Sequence, residues 1–144
     1  MGKSYDITTI EGDGIGPEVC QSAVAVLREA CGSRLRFDAQ PGGAAHYLRS
    51  GAVLPDDTLA ACRQSHASLH GAAGLPDVTY PDGTEVGNDL HLQLRFKLDL
   101  FANVRPIRLY QGVTSPLRDW AAGQIDYVIV RENTEGLYAS RGAG

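Results

Sequence analysis

Arg95, Lys97, Arg105 and Arg108 fall within LRFKLDLFANVRPIRLY, residues 94–110, with apolar residues between them. Arg131 follows at the end of the apolar run Tyr127-Val128-Ile129-Val130. An arginine's planar fork donates two parallel hydrogen bonds, so an arginine fixed at the end of an element is suited to gripping a carboxylate or a phosphate. The interleaved apolar residues set this stretch apart from a solvated charge run. The other reading is ordinary surface arginine, paired with Asp99 or Glu132, since most charged side chains are simply exposed. Metal chemistry has less support. The four histidines are scattered, Asp56 and Asp57 share one expected helical turn, and Glu132 and Glu135 flank a loop, so no carboxylate cluster has ligand spacing.

These residues need elements to hold them. Leu90, Leu92, Leu94, Phe96, Leu98, Leu100 and Phe101 read as a helix over Leu90–Leu100 followed by a turn. Ala102 to Leu109 reads as a strand broken by Pro106, and Asp126 to Val130 as another. Upstream, Tyr5 to Ile10 is β-rich and reads as a buried strand. A helix opening at Pro17, with Glu18 at its positive end, should run to about Cys31 and stop at Gly32. Its expected apolar stripe is Val19, Ala23, Val26, Leu27 and Ala30. Leu35–Ala39 and Ala67–His70 read as short strands, Ala44–Arg49 and Pro55–Gln64 as helices, and residues 76–88 as a loop rich in Pro, Asp and Gly. Strands alternating with helices indicate an α/β chain with substantially parallel pairing.

Between the first strand and first helix stands Gly12-Asp13-Gly14-Ile15-Gly16-Pro17, and Asp38 lies 22 residues beyond Gly16. A dinucleotide fingerprint has this general form, but its spacing is G-x-G-x-x-G. Here the third glycine comes one residue early and proline opens the helix, which argues against a standard Rossmann fold. Two readings stay open. The loop is either a tight turn without a ligand, or a segment whose backbone amides touch a cofactor held mainly by other parts of the chain.

At 144 residues with 43% apolar and 21% charged content, the chain has the composition of an ordinary globular domain. A net charge of −4 gives no electrostatic footprint for nucleic acid. Three cysteines without a C-x-x-C pair suit a reduced compartment. No apolar run reaches membrane-spanning or signal-peptide length. A soluble, cytoplasmic protein binding neither nucleic acid nor membrane is expected.

Four segments in order, TIEGDGIGPEV (9–19), HGAAGLPDV (70–78), LRFKLDLFANVRPIRLYQGVTSP (94–116) and DYVIVRENTEGLYAS (126–140), resemble the isocitrate and isopropylmalate dehydrogenase family across nearly the whole chain. The resemblance implies an oxidative decarboxylase of malate-type 2-hydroxy acids that uses NAD or NADP and Mg²⁺ or Mn²⁺. Its substrate would be a 2-hydroxy di- or tricarboxylate. Arg95, Arg105 and Arg131 resemble the arginines that hold the substrate's carboxylates, and Tyr138 resembles the late proton donor. Gly12, Asp13, Gly14 and Ile15, with Gly71, Ala72, Gly74 and Leu75, match segments lining the cofactor side of the cleft. Asp89 and His91 stand where isocitrate-specific members carry Ser and Asn and isopropylmalate members carry leucines, so His91 becomes a candidate contact for a polar substituent.

The family's members are well over twice this long. Their catalytic lysine, metal-binding aspartates and adenine-binding loop match nothing here, Lys3 and Lys97 being the only lysines. The expectation is therefore the N-terminal part of that fold with an incomplete sheet. Residues 1–100 would belong to the large domain and 101–144 would open the dimerisation domain of a homodimer. Such a fragment should be inactive by itself. The alternative is a non-catalytic partner built on the same half-fold.

Overall fold

The computed structural model describes residues 3–135. It forms two compact units, Met1–Leu98 and Asp99–Gly144.

In the first unit, β1 (Tyr5–Ile10) is the central strand of three. It pairs in parallel with β2 (Leu35–Gln40), Tyr5 opposite Leu35 through Ile10 opposite Gln40. On its other side it pairs in parallel with β3 (Ala67–His70), Ile7 opposite Ala67 through Ile10 opposite His70. Among the described residues β1 thus has a neighbour on each side, and the outer edges of β2 and β3 are open.

Helix α1 (Gly16–Cys31) opens on Pro17, carries Glu18 in its first turn and ends at Gly32 with φ 58°. Its buried side is Cys20 with Ala23, Val24 and Leu27 partly covered, while Val19 and Val26 are exposed. The expected stripe was thus rotated by about one residue. Helices α2 (Ala44–Ser50) and α3 (Asp56–Gln64) follow β2. Gly51 closes α2 in the left-handed conformation, φ 78°, and donates its N–H to Tyr47 O at 2.7 Å.

Helix α4 spans Val86–Lys97, not Leu90–Leu100. Val86, Leu90 and Leu94, four residues apart, form its buried stripe and join Ile10, Ala44, Leu59 and Cys62 in one core. Leu100 and Phe101 lie beyond it and are exposed. The preceding polar run is less open than expected: Thr79 bridges Glu85, so the chain doubles back before entering α4.

In the second unit, β4 (Ala102–Arg108) pairs antiparallel with β5 (Asp126–Glu132). Pro106 does not break β4. Leu109 N donates to Ile125 O at 2.9 Å and Asn133 N to Phe101 O at 2.9 Å, so the odd-numbered residues of β4 exchange the ladder bonds. Pro106 faces Val128 at a non-bonded position, where a missing N–H costs the ladder nothing.

Candidate functional site

The loops that leave the carboxyl ends of β1 and β3, Glu11–Ile15 and Gly71–Leu75, lie side by side because those strands are neighbours. In open α/β sheets ligands bind beyond the carboxyl ends of the strands, where these loops stand. Gly71 N donates to Ile10 O at 2.9 Å and Asp13 N to Ala72 O at 2.7 Å. The backbones meet so closely that a Cβ on Gly12, itself at φ 74°, would stand 2.1 Å from Ala72 O. Glycine is required here by the approach of one loop to the other.

Asp13 holds this arrangement together. Its carboxylate accepts the N–H of Ala44 (2.7 Å), Ala45 (2.8 Å) and Gly74 (2.8 Å). It is 3% exposed, and it ties both loops to the first turn of α2. Leu75 packs against the core. Of the cofactor-side candidates, Gly14, Ile15 (66% exposed) and Ala72 face solvent, whereas Gly12, Asp13, Gly71, Gly74 and Leu75 are engaged in packing or bonding within the unit. Asp38, the acid at fingerprint spacing, accepts from Gln40 Nε2 at 2.8 Å on edge strand β2.

Helix α4 carries the next candidates, His91 and Arg95, one turn apart on the same side. Both flank the buried stripe and are half-buried. Arg95 makes no hydrogen bond or ion pair with a described residue. Asp89 does not share their task. It accepts Tyr80 Oη at 2.7 Å and Gln93 Nε2 at 2.6 Å. Burial, then the Asp89 carboxylate, push the Tyr80 hydroxyl well above the usual phenol range. The ring of His91 lies against His70, centroids 4.8 Å apart, at the carboxyl end of β3. Burial, with His70 and Arg95 adding repulsion, holds His91 below the usual imidazole range. His70 escaped the sequence reading. It is the first residue of the HGAAG motif, but nothing local signals a partner on α4.

The helix approaches the Gly71–Leu75 loop through Gly87, whose added Cβ would lie 2.1 Å from Gly74 Cα. Gly87→Ala should therefore push α4 and the loop apart despite alanine's better helix propensity. A loss of ~1–3 kcal/mol is expected. Urea unfolding of wild type and variant checks this, and a stabilised variant would refute the close packing.

In the second unit the register places Asn103 opposite Arg131 and Arg105 opposite Ile129. Side chains of residues two apart share a face, so Arg105, Asn103 and Arg131 stand on one side of the hairpin, the two arginines diagonally adjacent. Arg105 Nε donates to Asn103 Oδ1 at 3.1 Å. Arg108 lies on the opposite face, its Nε 3.4 Å from Asp126 Oδ2 across the strands. Glu132 accepts from the Thr134 hydroxyl and from the amides of Thr134 and Glu135, which lower its pKa. Tyr138 lies outside the described residues. Among those residues no three His, Cys, Asp or Glu side chains are grouped to hold a metal ion. None of their helices is long and apolar enough to cross a membrane.

The family model described as isocitrate/isopropylmalate dehydrogenase matches residues 6–143. The chain belongs to the isocitrate/isopropylmalate dehydrogenase family. It is 44% identical to a 3-isopropylmalate dehydrogenase of Clavibacter sepedonicus, covering 99% of this chain and 40% of that protein. With the enzyme of the same name from Corynebacterium efficiens identity is 46%, over 94% of this chain and 38% of the relative. A solved isocitrate dehydrogenase from Methylococcus capsulatus superposes with a TM-score of 0.74 at 37% identity, covering 94% of this chain and 36% of that one. A β-decarboxylating dehydrogenase from Thermococcus kodakarensis gives 0.70 at 37% identity, over 92% and 35%. The chain thus spans about 40% of the length of the curated relatives it matches, as the N-terminal portion of the family fold.

Proposed function

We propose that this chain supplies the carboxylate-gripping part of an NAD(P)- and divalent-metal-dependent oxidative decarboxylase of a malate-type 2-hydroxy acid. The observation that carries this reading is the shared face of Arg105 and Arg131 on the β4–β5 hairpin. Arg95, half-buried on α4 without an acidic partner among the described residues, supports it. Two or more carboxylates on one small substrate call for several fixed positive charges, which offset the anion and hold C2 in one orientation. Tyr138 is assigned the late proton transfer to carbon.

The exposed tip Gly14–Ile15 and Ala72 leave room for a nicotinamide cofactor beside the loops, and that cofactor supplies hydride acceptance when bound. The described residues do not fit Mg²⁺ or Mn²⁺, so its ligands are assigned to the part of the family chain not covered here. A homodimer in the cytoplasm completes the reading.

The test uses a chimaera in which residues 1–144 replace the matching stretch of the Clavibacter sepedonicus relative. Arg105→Met removes a charge-assisted contact worth about 1.5–3 kcal/mol, or roughly 10- to 150-fold in kcat/KM. Cofactor affinity without substrate should hold. Unaltered turnover at low substrate concentration would remove Arg105 from the substrate site.

A further inference from the structure

Tyr80 links α2 to α4. Its ring meets that of Tyr47 on α2 edge-on, centroids 5.2 Å apart at 75°. Its hydroxyl donates to Asp89 Oδ2 on α4 at 2.7 Å, and the same oxygen accepts Gln93 Nε2 at 2.6 Å. Both tyrosines pack against the core of the first unit. We propose that Tyr80, acting through Asp89, is a positioning residue for Arg95. It fixes the roll of α4 about its own axis, and so the direction in which Arg95 meets a substrate carboxylate. This rests on the reading that Arg95 grips such a carboxylate.

Tyr80 is itself held. Thr79 bridges Glu85, Tyr80 N donates to Thr84 O at 2.8 Å, and Gly83 N donates to Tyr80 O at 2.9 Å. The doubled-back segment before α4 therefore gives the hydroxyl a fixed origin. On the other side, Tyr47 belongs to the helix whose first turn gives two N–H groups to Asp13. A line of contacts thus runs from the two glycine loops through α2, Tyr47, Tyr80 and Asp89 to α4.

The apolar contacts of α4 do a different job. Val86, Leu90 and Leu94 bury one stripe, and Gly87 sets the approach to Gly74. Apolar burial is non-directional, so it holds α4 close while leaving its roll loosely set. A hydrogen bond weakens steeply as its angle opens, so the bonds at Asp89 resist roll. Arg95 lies six residues beyond Asp89, about 240° round the helix. A roll of about 10° moves a group at the helix surface, ~6 Å from the axis, by ~1 Å. Misplacement on that scale can cost roughly 100-fold in rate. A direct ion pair does not explain the arrangement, because helical side chains meet three or four residues apart, not six. Burial first, then Asp89, raise the Tyr80 hydroxyl above the usual phenol range, so it remains the donor near neutral pH.

The chimaera described above tests this with 3-isopropylmalate and isocitrate, using whichever it turns over. Tyr80→Phe keeps the ring against Tyr47 and removes the hydroxyl. It should lower kcat/KM at least ~10-fold, mainly through a raised substrate KM, while cofactor affinity without substrate holds. Asp89→Asn keeps an acceptor for the hydroxyl and should stay within about 2-fold of the parent. In an Arg95→Met background Tyr80→Phe should cost nothing more, because it acts through Arg95. Three results overturn the proposal: no loss in Tyr80→Phe, an equal loss in Asp89→Asn, or the same further loss in the Arg95→Met background. Unaltered kinetics in Arg95→Met would remove Arg95 from the substrate site and overturn both readings of that residue. No turnover of either substrate by a chimaera with a cooperative melt overturns the decarboxylase reading instead. In that case, or if the chimaera does not melt cooperatively, NMR of the 144-residue chain decides the positioning role. Tyr80→Phe should shift the Arg95 Nε–Hε resonance and the amides of α4 as far as Lys97, and Asp89→Asn should leave the Arg95 resonance in place. Shifts confined to residues 79–89 overturn the proposal.

Discussion

Replacing Asp13 with alanine is expected to remove ~3 kcal/mol or more of folding stability. The carboxylate accepts three backbone N–H groups from two segments distant in sequence, at 2.7–2.8 Å, and is 3% exposed. A hydrogen bond to a charged acceptor contributes about 1.5–3 kcal/mol, and a buried donor left without a partner costs about 1–3 kcal/mol. These contributions do not add fully, but one such loss is large beside a total stability of about 5–15 kcal/mol. Asp13→Asn separates shape from chemistry. The amide fits the same space, yet its NH₂ must face a backbone N–H that needs an acceptor, so about 2–3 kcal/mol should still be lost. Asp13→Glu should not rescue. Gly43 sits so close that a Cβ there would lie 2.6 Å from Asp13 Oδ2, leaving no space for another methylene. Urea unfolding of the chimaera measures the losses. Amide exchange at Ala44, Ala45 and Gly74 localises them. An unchanged midpoint in Asp13→Asn would show that the carboxylate is not what holds these loops together.

This role illustrates what could be read in the chain and what could not. Elements bounded by local chemistry were legible: Pro17 and Glu18 open α1, Gly32 stops it, and Gly51 ends α2. The partners of Asp13 lie 31, 32 and 61 residues away, so no local signal showed that its oxygens are spent on backbone amides. Helix α4 was placed too late because Gly87 and Asn88 look like breakers, although Val86, Leu90 and Leu94 already carry the four-residue spacing. Its glycine is there for contact with Gly74, which is a tertiary reason. Pro106 argued for a broken strand because its pairing phase depends on a partner strand twenty residues on. The same phase decides which arginines can act together. It puts Arg105 with Arg131 and turns Arg108 away to Asp126. Spacing along the chain could nominate all three but could not sort them. His70 was missed for a related reason, since its partner stands on another element.

The 144-residue chain alone is expected to self-associate through its β4–β5 hairpin. Alternation in a strand should leave one apolar and one polar face, but here both faces carry exposed apolar side chains among the polar ones. Val104 (60% exposed), Val128 and Val130 (63%) stand on one side, and Tyr127 and Ile129 on the other. A two-stranded ribbon is at best marginally stable in water by itself, and apolar surface on both faces favours association with further copies. Open edges add unpaired N–H and C=O groups that accept another strand. Sedimentation velocity should show species that grow with protein concentration. Val104→Lys with Val130→Lys, a directly opposed pair, places two like charges on one face. That variant should shift the distribution towards monomer, most clearly at low salt, because screening weakens repulsion between exposed charges. Hydrogen exchange should separate the units as well. Amides of β1, paired on both sides, should be protected far longer than those of β4 and β5. A monodisperse monomer at high concentration, with the hairpin as protected as β1, would mean that the second unit is stable without any covering surface.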